Sequence, residues 1–214
     1  MNTAAWWLIG LTLVVALCDW IAVGTATRRA EYFFKPLTMV PLILAAIALD
    51  PADEAMRWWF VAALVFSLAG DVFLMLPNDD LFVFGLGSFL IGHIAYIIGL
   101  ASGGQNAIAL ALGVVAVAAC LAVVGPRIVV GARETDQRLA IPVLAYMLVI
   151  SAMVALAVGS TVAAAIVGAG LFYVSDATIG WTRFIDDFKG GRLVIVTTYH
   201  LGQVFLVLSL VVAR

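Results

Sequence analysis

The chain has 214 residues, of which 65% are hydrophobic and only 11% charged, and its formal net charge is −2. A soluble domain of this length would carry about 25% charged residues, so the composition excludes a soluble globular protein and indicates a polytopic membrane protein. Nucleic acid is excluded as a partner as well, because the chain has no excess of basic residues to meet phosphates.

Eight apolar stretches are candidates for membrane-spanning helices, each of which needs about 20 residues to cross the hydrocarbon layer. In chain order they cover residues 4–23, 36–50, 57–76, 81–100, 105–124, 139–158, 160–180 and 192–213. Lys35 and Pro36 are expected to open the second one. The connections are short, so we predict an all-α protein with a single eight-helix transmembrane domain over residues 1–214, embedded in a lipid bilayer.

Basic residues are distributed unevenly between the two ends of these predicted helices. Nine of the eleven Lys and Arg residues fall in four alternate connections, at 24–35, 77–80, 125–138 and 181–192. Arg57 and Arg214 belong to the opposite face. The positive-inside rule therefore places the four basic connections in the cytoplasm and both termini outside. We expect the protein to reside in a bacterial plasma (inner) membrane in this orientation.

Two aspartates interrupt apolar helices, Asp71 in FSLAGDVFLML and Asp176 in LFYVSDATIGW. A carboxylate in hydrocarbon is costly and usually serves a function or has a partner. Both are expected about one turn from the cytoplasmic end of their helices, so they share a depth. The pattern favours a general acid and a general base. The alternative is that the two carboxyl groups only anchor helices by hydrogen bonds, or that one of them pairs with Lys35.

Lys35 precedes a proline in the segment KPLTM. One interpretation is a lysine whose ammonium group reaches the membrane surface from the start of a helix, with Pro36 in the first turn, where its missing N–H costs nothing. The other is a functional cation that keeps one aspartate ionised or contacts a lipid headgroup. The sequence leaves both interpretations open.

The two histidines, His93 and His200, lie in different predicted helices. Together with the two aspartates they would suffice in number for a zinc site. However, no paired-His motif is present, so each helix would offer a single ligand, and we expect no metal. Tyr96 and Tyr199 are expected either to donate hydrogen bonds in a pocket or to belong to the aromatic belt of the membrane interface.

The polar residues hint at an internal duplication. An Asp is followed by a His 22 residues later in the third and fourth helices (Asp71, His93) and 24 residues later in the seventh and eighth (Asp176, His200). Because the offset is four helices, the halves would be two parallel four-helix repeats.

Four short motifs resemble those of a known family. They are the G-D of the third helix, the F-x-x-x-H-x-x-Y of the fourth, the S-D of the seventh and the Y-x-x-x-Q of the eighth, at Gly70, Asp71, Phe89, His93, Tyr96, Ser175, Asp176, Tyr199 and Gln203. With KPLTM before them, they are similar to the YhhN family of integral membrane proteins, the lysoplasmalogenase family. The resemblance covers essentially the whole chain.

The resemblance implies an eight-helix enzyme that hydrolyses the vinyl ether of lysoplasmalogens, a class of lysophospholipids, to a fatty aldehyde and glycerophosphoethanolamine or glycerophosphocholine. We expect Asp71 and Asp176 to be catalytic and a polar set to bind the substrate: Lys35, His93, Tyr96, Ser175, Tyr199, His200 and Gln203. No cofactor is expected, because two carboxylates suffice for a reaction through an oxocarbenium ion, as they do in glycosidases.

Two other classes of function use the same residues. A small-molecule or proton-coupled transporter would use the aspartates as a proton relay, but it needs a polar path through both leaflets near the midplane. The outer half of the predicted helices is nearly all Ala, Val, Leu and Ile, which favours a pocket open to one side. A structural protein without chemistry would only lose stability when the aspartates are replaced. No pattern points to a particular oligomeric state.

Overall fold

A computed structural model describes residues 2–76 and 80–211. This part of the chain forms eight helices, namely α1 (Thr3–Gly24), α2 (Arg28–Ala48), α3 (Glu54–Met75), α4 (Asp80–Ser102), α5 (Ala107–Thr135), α6 (Ala140–Gly159), α7 (Ala163–Phe184) and α8 (Gly191–Leu208). All eight are long and apolar enough to cross a membrane. The prediction of an all-α protein with eight spans is confirmed. Residues 1, 77–79 and 212–214 lie outside the described residues, so both termini and Arg214 are among those not described.

Helix α2 begins at Arg28, so the prediction that Lys35 and Pro36 open it was wrong. The charged residues before Lys35 suggested a connection. Glu31 instead lies in the first turn of the helix, where a negative charge interacts favourably with the helix dipole. Its carboxylate accepts two hydrogen bonds from Arg192 of α8, at 2.5 and 2.6 Å, which compensates the burial of the charge.

Helix α5 continues to Thr135, so the predicted connection over 125–138 was also wrong for most of its length. The arginines in this segment suggested a loop. The buried residues Gly125, Ile128 and Ala132 nevertheless recur at helical spacing, and Ile128 and Ala132 form a small apolar cluster with Val143 of α6. The final turns of α5 therefore have an apolar face to pack against the bundle, while the arginines lie on the exposed side.

Consecutive helices pack as four antiparallel hairpins, α1–α2, α3–α4, α5–α6 and α7–α8. Contacts between α2 and α3, α4 and α6, α6 and α7, and α1 and α8 join the hairpins into one bundle. Helix α5 is peripheral, since 6% of its apolar stretch is buried against 28–56% for the other seven helices. The predicted duplication into two parallel repeats stays a prediction.

The end of the bundle that carries the α1–α2, α3–α4, α5–α6 and α7–α8 connections is called the basic face here, because nine of the eleven basic residues belong to it. At the opposite end, Arg57 donates hydrogen bonds to the carbonyl groups of Ile47 and Leu49, at 3.3 and 3.1 Å. Arg57 therefore satisfies orphan carbonyls at the C-terminus of α2.

Helices α7 and α8 pack closely against each other at Gly168 and Gly202. A Cβ atom at Gly168 would lie 2.7 Å from the Leu206 amide nitrogen, and one at Gly202 would lie 2.9 Å from the Gly168 carbonyl oxygen. Small residues at such crossings let two membrane helices pack backbone to backbone. The close crossing fixes the position of α8, which carries Tyr199, against α7, which carries Asp176.

Candidate active site

The first polar cluster joins α2, α3 and α8 around Asp71, whose side chain is 1% exposed. The Lys35 ammonium nitrogen lies 3.2 Å from Oδ1 of Asp71. The Tyr199 hydroxyl group donates a hydrogen bond of 2.7 Å to Oδ2. An ammonium group on one oxygen and a hydroxyl donor on the other both favour the ionised carboxylate. Both contacts therefore stabilise the ionised form of Asp71.

The second polar cluster joins α4, α6 and α7 around Asp176, which accepts a hydrogen bond from the Tyr146 hydroxyl group. His93 Nε2 lies 3.7 Å from Oδ2 of Asp176. On the other side of the ring, His93 Nδ1 is 2.6 Å from the carbonyl oxygen of Phe89.

The contact with Phe89 fixes where the imidazole proton lies. A carbonyl oxygen can only accept, so Nδ1 of His93 carries the proton and donates it. In the neutral ring, Nε2 then has only a lone pair to present to Asp176. The arrangement is favourable when one further proton is held between Asp176 and His93. Asp176 is thus arranged to hold a proton, whereas Asp71 is arranged to lack one.

Two phenylalanine rings separate the clusters. The Phe172 ring lies 4.7 Å from the His93 ring and 5.2 Å from the Tyr199 ring, measured between centroids. The Phe89 ring lies 5.8 Å from that of Tyr199. Phe89 packs directly on Gly70, where a Cβ atom would meet the ring at 2.6 Å. The G-D motif therefore makes room for the aromatic wall beside its own aspartate.

An apolar cavity opens beside Asp176 between α3, α4, α5, α6 and α7. Its cavity volume is about 90 Å³. The Asp176 and Tyr146 side chains contribute polar groups to its wall, and the surrounding residues are mostly aliphatic and aromatic, among them Leu86, Ile128, Val143 and Ile150. This lining suits an apolar chain, and Asp176 places a carboxyl group in the same wall.

A second cavity, called the basic cavity here, lies at the basic face between α2, α3, α4, α7 and α8. Lys35 belongs to its wall, so the residue that pairs with Asp71 is also accessible from this cavity. Asp71 itself lines neither cavity. The charged groups of Asp71 and Lys35 are nevertheless close enough to interact electrostatically with the Asp176 carboxyl group.

Three further predicted substrate-binding residues, Tyr96, Ser175 and Gln203, join α8 to other helices. The Tyr96 hydroxyl group donates a hydrogen bond of 2.5 Å to Oε1 of Gln203, which joins α4 to α8 in the buried core. The Ser175 hydroxyl group donates to the carbonyl oxygen of Ile195 at 3.1 Å and joins α7 to α8. None of these three side chains lines either cavity.

The two histidines lie in different surroundings. Nδ1 of His200 accepts a hydrogen bond of 3.1 Å from Trp20 of α1, and its ring packs against Tyr199. His93 contacts Asp176, so the structure does not bring the two histidines together. Across residues 2–76 and 80–211, no group of three or more His, Cys, Asp and Glu side chains is arranged to hold a metal ion.

Sequence reasoning missed Tyr146 and gave no role to Asp19. Tyr146 lies in the apolar run LAYMLVIS, and its one polar atom gave no signal that distinguishes it from a tyrosine of the aromatic belt. Asp19 is fully buried on α1, and neither carboxylate oxygen has a hydrogen-bond partner among the described residues. It lies within electrostatic range of Lys35 and Asp71, so a third carboxyl group borders the first cluster.

The fold and the site define a class, a polytopic α-helical membrane protein in which buried acid–base groups border an apolar cavity. The sequence model of the YhhN family matches residues 30–210, and the chain belongs to the YhhN family. The resemblance seen in the four sequence motifs is thereby confirmed.

Curated relatives include proteins from bacteria and mammals. The chain is 36% identical over 178 residues to the lysoplasmalogenase of Mycobacterium tuberculosis, which covers 81% of this chain and 67% of that protein. It is 29% identical over 177 residues to lysoplasmalogenase TMEM86B of Mus musculus, with 82% and 72% covered. No solved structure matches the chain.

Proposed function

We propose that this chain is a membrane-embedded hydrolase that cleaves the vinyl ether bond of lysoplasmalogens, releasing a fatty aldehyde and glycerophosphoethanolamine or glycerophosphocholine. The relatives that share most of the chain are named for this activity. The observation that carries the proposal is the contrast between the two carboxyl groups, with Asp71 held between Lys35 and Tyr199 and Asp176 next to His93. A transporter is not favoured, because these relatives are enzymes.

The reaction begins with proton transfer to carbon. A vinyl ether has no carbonyl group for a nucleophile to attack, so cleavage requires an acid strong enough to protonate the outer alkene carbon. Asp176 lines the apolar cavity and is arranged to hold a proton, so it is the general acid. The alkene π electrons form the new C–H bond, and the carbon that bears the ether oxygen becomes part of an oxocarbenium ion.

The positive charge of this intermediate is stabilised by fixed negative charge. Asp71 remains ionised, and its charge acts across the Phe172 ring towards Asp176. Preorganised charge of this kind is effective where water is excluded, because the surroundings need not reorganise during the reaction. The role of Asp71 is therefore to stabilise the oxocarbenium ion by its negative charge.

Water completes the cleavage. It adds to the cationic carbon, and the Asp176 carboxylate, which has given up its proton, takes one from the water, as the acid–base residue of a glycosidase does. The resulting hemiacetal then collapses, its hydroxyl proton passes to the ether oxygen, and the C–O bond breaks. The products are the aldehyde and the free glycerol hydroxyl group, with one water consumed.

The proposed reaction is tested with purified protein and two substrates, a lysoplasmalogen and the ester lysophospholipid with the same chain and headgroup. Mass spectrometry should find fatty aldehyde from the first and little fatty acid from the second, because the ester does not react through an oxocarbenium ion. The rate should not change with a chelator. Fatty acid release from the ester without aldehyde release would contradict the proposal.

We further propose that the membrane is a bacterial inner membrane and that the basic face lies in the cytoplasm, so that both termini are outside. Support comes from the nine-to-two distribution of basic residues and the positive-inside rule. Reporter fusions ending at Arg133 and at Ser102, on opposite ends of the bundle, should report the cytoplasm and the outside, respectively. The reverse pattern would overturn the orientation.

A further inference from the structure

Helix α5 packs tightly against a different neighbour near each of its ends. Toward the basic face, a Cβ atom at Gly131 would lie 2.1 Å from the carbonyl oxygen of Phe184 on α7. Near the other end, a Cβ atom at Gly113 would lie 3.0 Å from the carbonyl oxygen of Ala155 on α6. Only small residues allow two helix backbones to approach this closely. The ends of α5 are therefore fixed, one against α7 and the other against α6.

Between these two close contacts, an open groove runs between α5 and α7. No side chain of residues 114–124 on α5 is fully buried. The groove has a volume of about 690 Å³, and its lining includes Cys120, Val123, Val124, Tyr173, Val174 and Ala177. Both helices are long and apolar enough to cross a membrane, so this α5–α7 groove opens toward the hydrocarbon of the bilayer.

The α5–α7 groove and the apolar cavity share a wall. Val124, Tyr173 and Ala177 line both of them. On α7, Tyr173 lies about one turn before Asp176 and Ala177 directly follows it. The shared wall therefore borders the carboxyl group that is proposed as the acid. A chain that passes between α5 and α7 at this wall reaches Asp176 directly from the bilayer.

The volumes of the two spaces indicate how a long chain is divided between them. The apolar cavity measures about 90 Å³, whereas sites that enclose a small organic ligand usually measure about 300–1,000 Å³. The groove, at about 690 Å³, lies within that range. The cavity therefore has room for the reactive end of an alkenyl chain, and the rest of a long chain requires the groove.

We infer that the α5–α7 groove is a lateral portal, through which the alkenyl chain of a single-chain lipid passes from the bilayer to Asp176. The identity of this chain rests on the proposed function. Most of the chain stays in the groove during the reaction, with Val124, Tyr173 and Ala177 at the entrance to the cavity and Val174 on the bilayer side. The fatty aldehyde, which keeps the chain, returns to the bilayer by the same route.

The first test locates the chain in the full-length protein in lipid nanodiscs. The probe is an alkyl ether lysophospholipid, which has no vinyl ether to cleave, with a diazirine in the middle of its chain. After illumination, mass spectrometry should find adducts on the groove residues of α5 and α7, and excess unlabelled lipid should remove them. Adducts that persist under this competition would overturn the inference.

The same experiment also detects entry from the basic face. Leu74, Phe82 and Ile179 line both the apolar and the basic cavity, so a chain that enters through the basic cavity passes these three residues. Adducts on them that unlabelled lipid removes, with none on the groove residues, would overturn the lateral portal.

The second test narrows the groove by substitution. Val174→Trp should lower kcat/KM for a lysoplasmalogen with a hexadecenyl chain by about tenfold, on the scale of overfilling an apolar site. The loss should be smaller for a butenyl chain, which makes less use of the groove. An unchanged ratio of the two kcat/KM values in Val174→Trp would contradict the portal.

The matched control for this substitution is Val167→Trp. Val167 lies two turns earlier on α7, beyond the groove, and its exposed fraction of 44% is close to the 46% of Val174. The control should keep the wild-type ratio between the two chains. The same shift of the ratio in both variants would mean that a large ring on α7 acts through the bilayer, which would also contradict the portal.

The portal and the proposed reaction fail in different ways. Crosslinking requires no cleavage, so a protein that forms adducts in the groove but releases no aldehyde would refute vinyl ether hydrolysis alone. A protein that releases aldehyde but forms adducts only inside the bundle would refute the portal alone.

Discussion

Replacing Asp176 by Asn should reduce kcat for vinyl ether hydrolysis by about 10²-fold or more, the usual scale for losing general acid–base catalysis. The amide keeps the size of the carboxyl group and its ability to accept the Tyr146 hydrogen bond, but it cannot donate a proton to carbon. The KM value should change little, because the amide has nearly the same shape as the carboxyl group and the apolar cavity keeps its size. Steady-state measurement of aldehyde release gives both constants.

The control for this variant is Asp186→Asn, which makes the same chemical change in the exposed loop after α7. It should match the wild type in rate and stability. The Asp176→Asn protein should fold, because a neutral amide costs less to bury than a carboxylate. Turnover within a few-fold of the wild type in a folded Asp176→Asn protein would exclude Asp176 as the acid.

Replacing Lys35 by Met should lower both activity and stability. The substitution removes the ammonium group 3.2 Å from Asp71 and leaves a buried carboxyl group without its cation. Loss of one partner of a buried ion pair costs about 3–5 kcal/mol. The activity should fall by about 10²-fold, because an unpaired Asp71 gains a proton and no longer stabilises the oxocarbenium ion. Denaturation in detergent and aldehyde release measure the two effects.

A double variant separates the two effects of Lys35. In Lys35→Met combined with Asp71→Asn, no charge is left unpaired, so most of the lost stability should return while activity stays low. Lys189→Met, on the same face but in an exposed loop, serves as the control and should behave as the wild type. A double variant as unstable as Lys35→Met alone would show that the ion pair does not account for the loss.

The helices and the residues of the first cluster could be anticipated because they depend on local features of the sequence. Long apolar stretches define spans whatever their neighbours are, and Lys35, Asp71 and Tyr199 stand out as polar residues in the half of the bundle nearer the basic face. The helix ends were harder to predict. The charged starts and ends of α2 and α5 are stabilised by contacts with other helices, such as the Glu31–Arg192 pair, and these contacts are not visible in the local sequence.

The partners of each polar group required the three-dimensional arrangement. His200 pairs with Trp20 because α1 packs against α8, a neighbour relation between the first and last helices that hydropathy does not encode. Tyr146 reaches Asp176 because α6 packs against α7, which the local sequence does not encode. The protonation pattern of His93 follows from its contact with a carbonyl oxygen of its own helix, which depends on the side-chain conformation.

In the proposed mechanism, protonation of the alkene makes the vinyl carbon cationic, and water then adds to that carbon. The most direct measurement is hydrolysis of a lysoplasmalogen by the purified wild type in water enriched in oxygen-18, with mass analysis of the glycerophosphoethanolamine. Because the bond that breaks joins the ether oxygen to the former vinyl carbon, this product should contain no heavy oxygen. A glycerophosphoethanolamine that carries oxygen-18 would mean that water attacks the glycerol carbon, and it would contradict the mechanism.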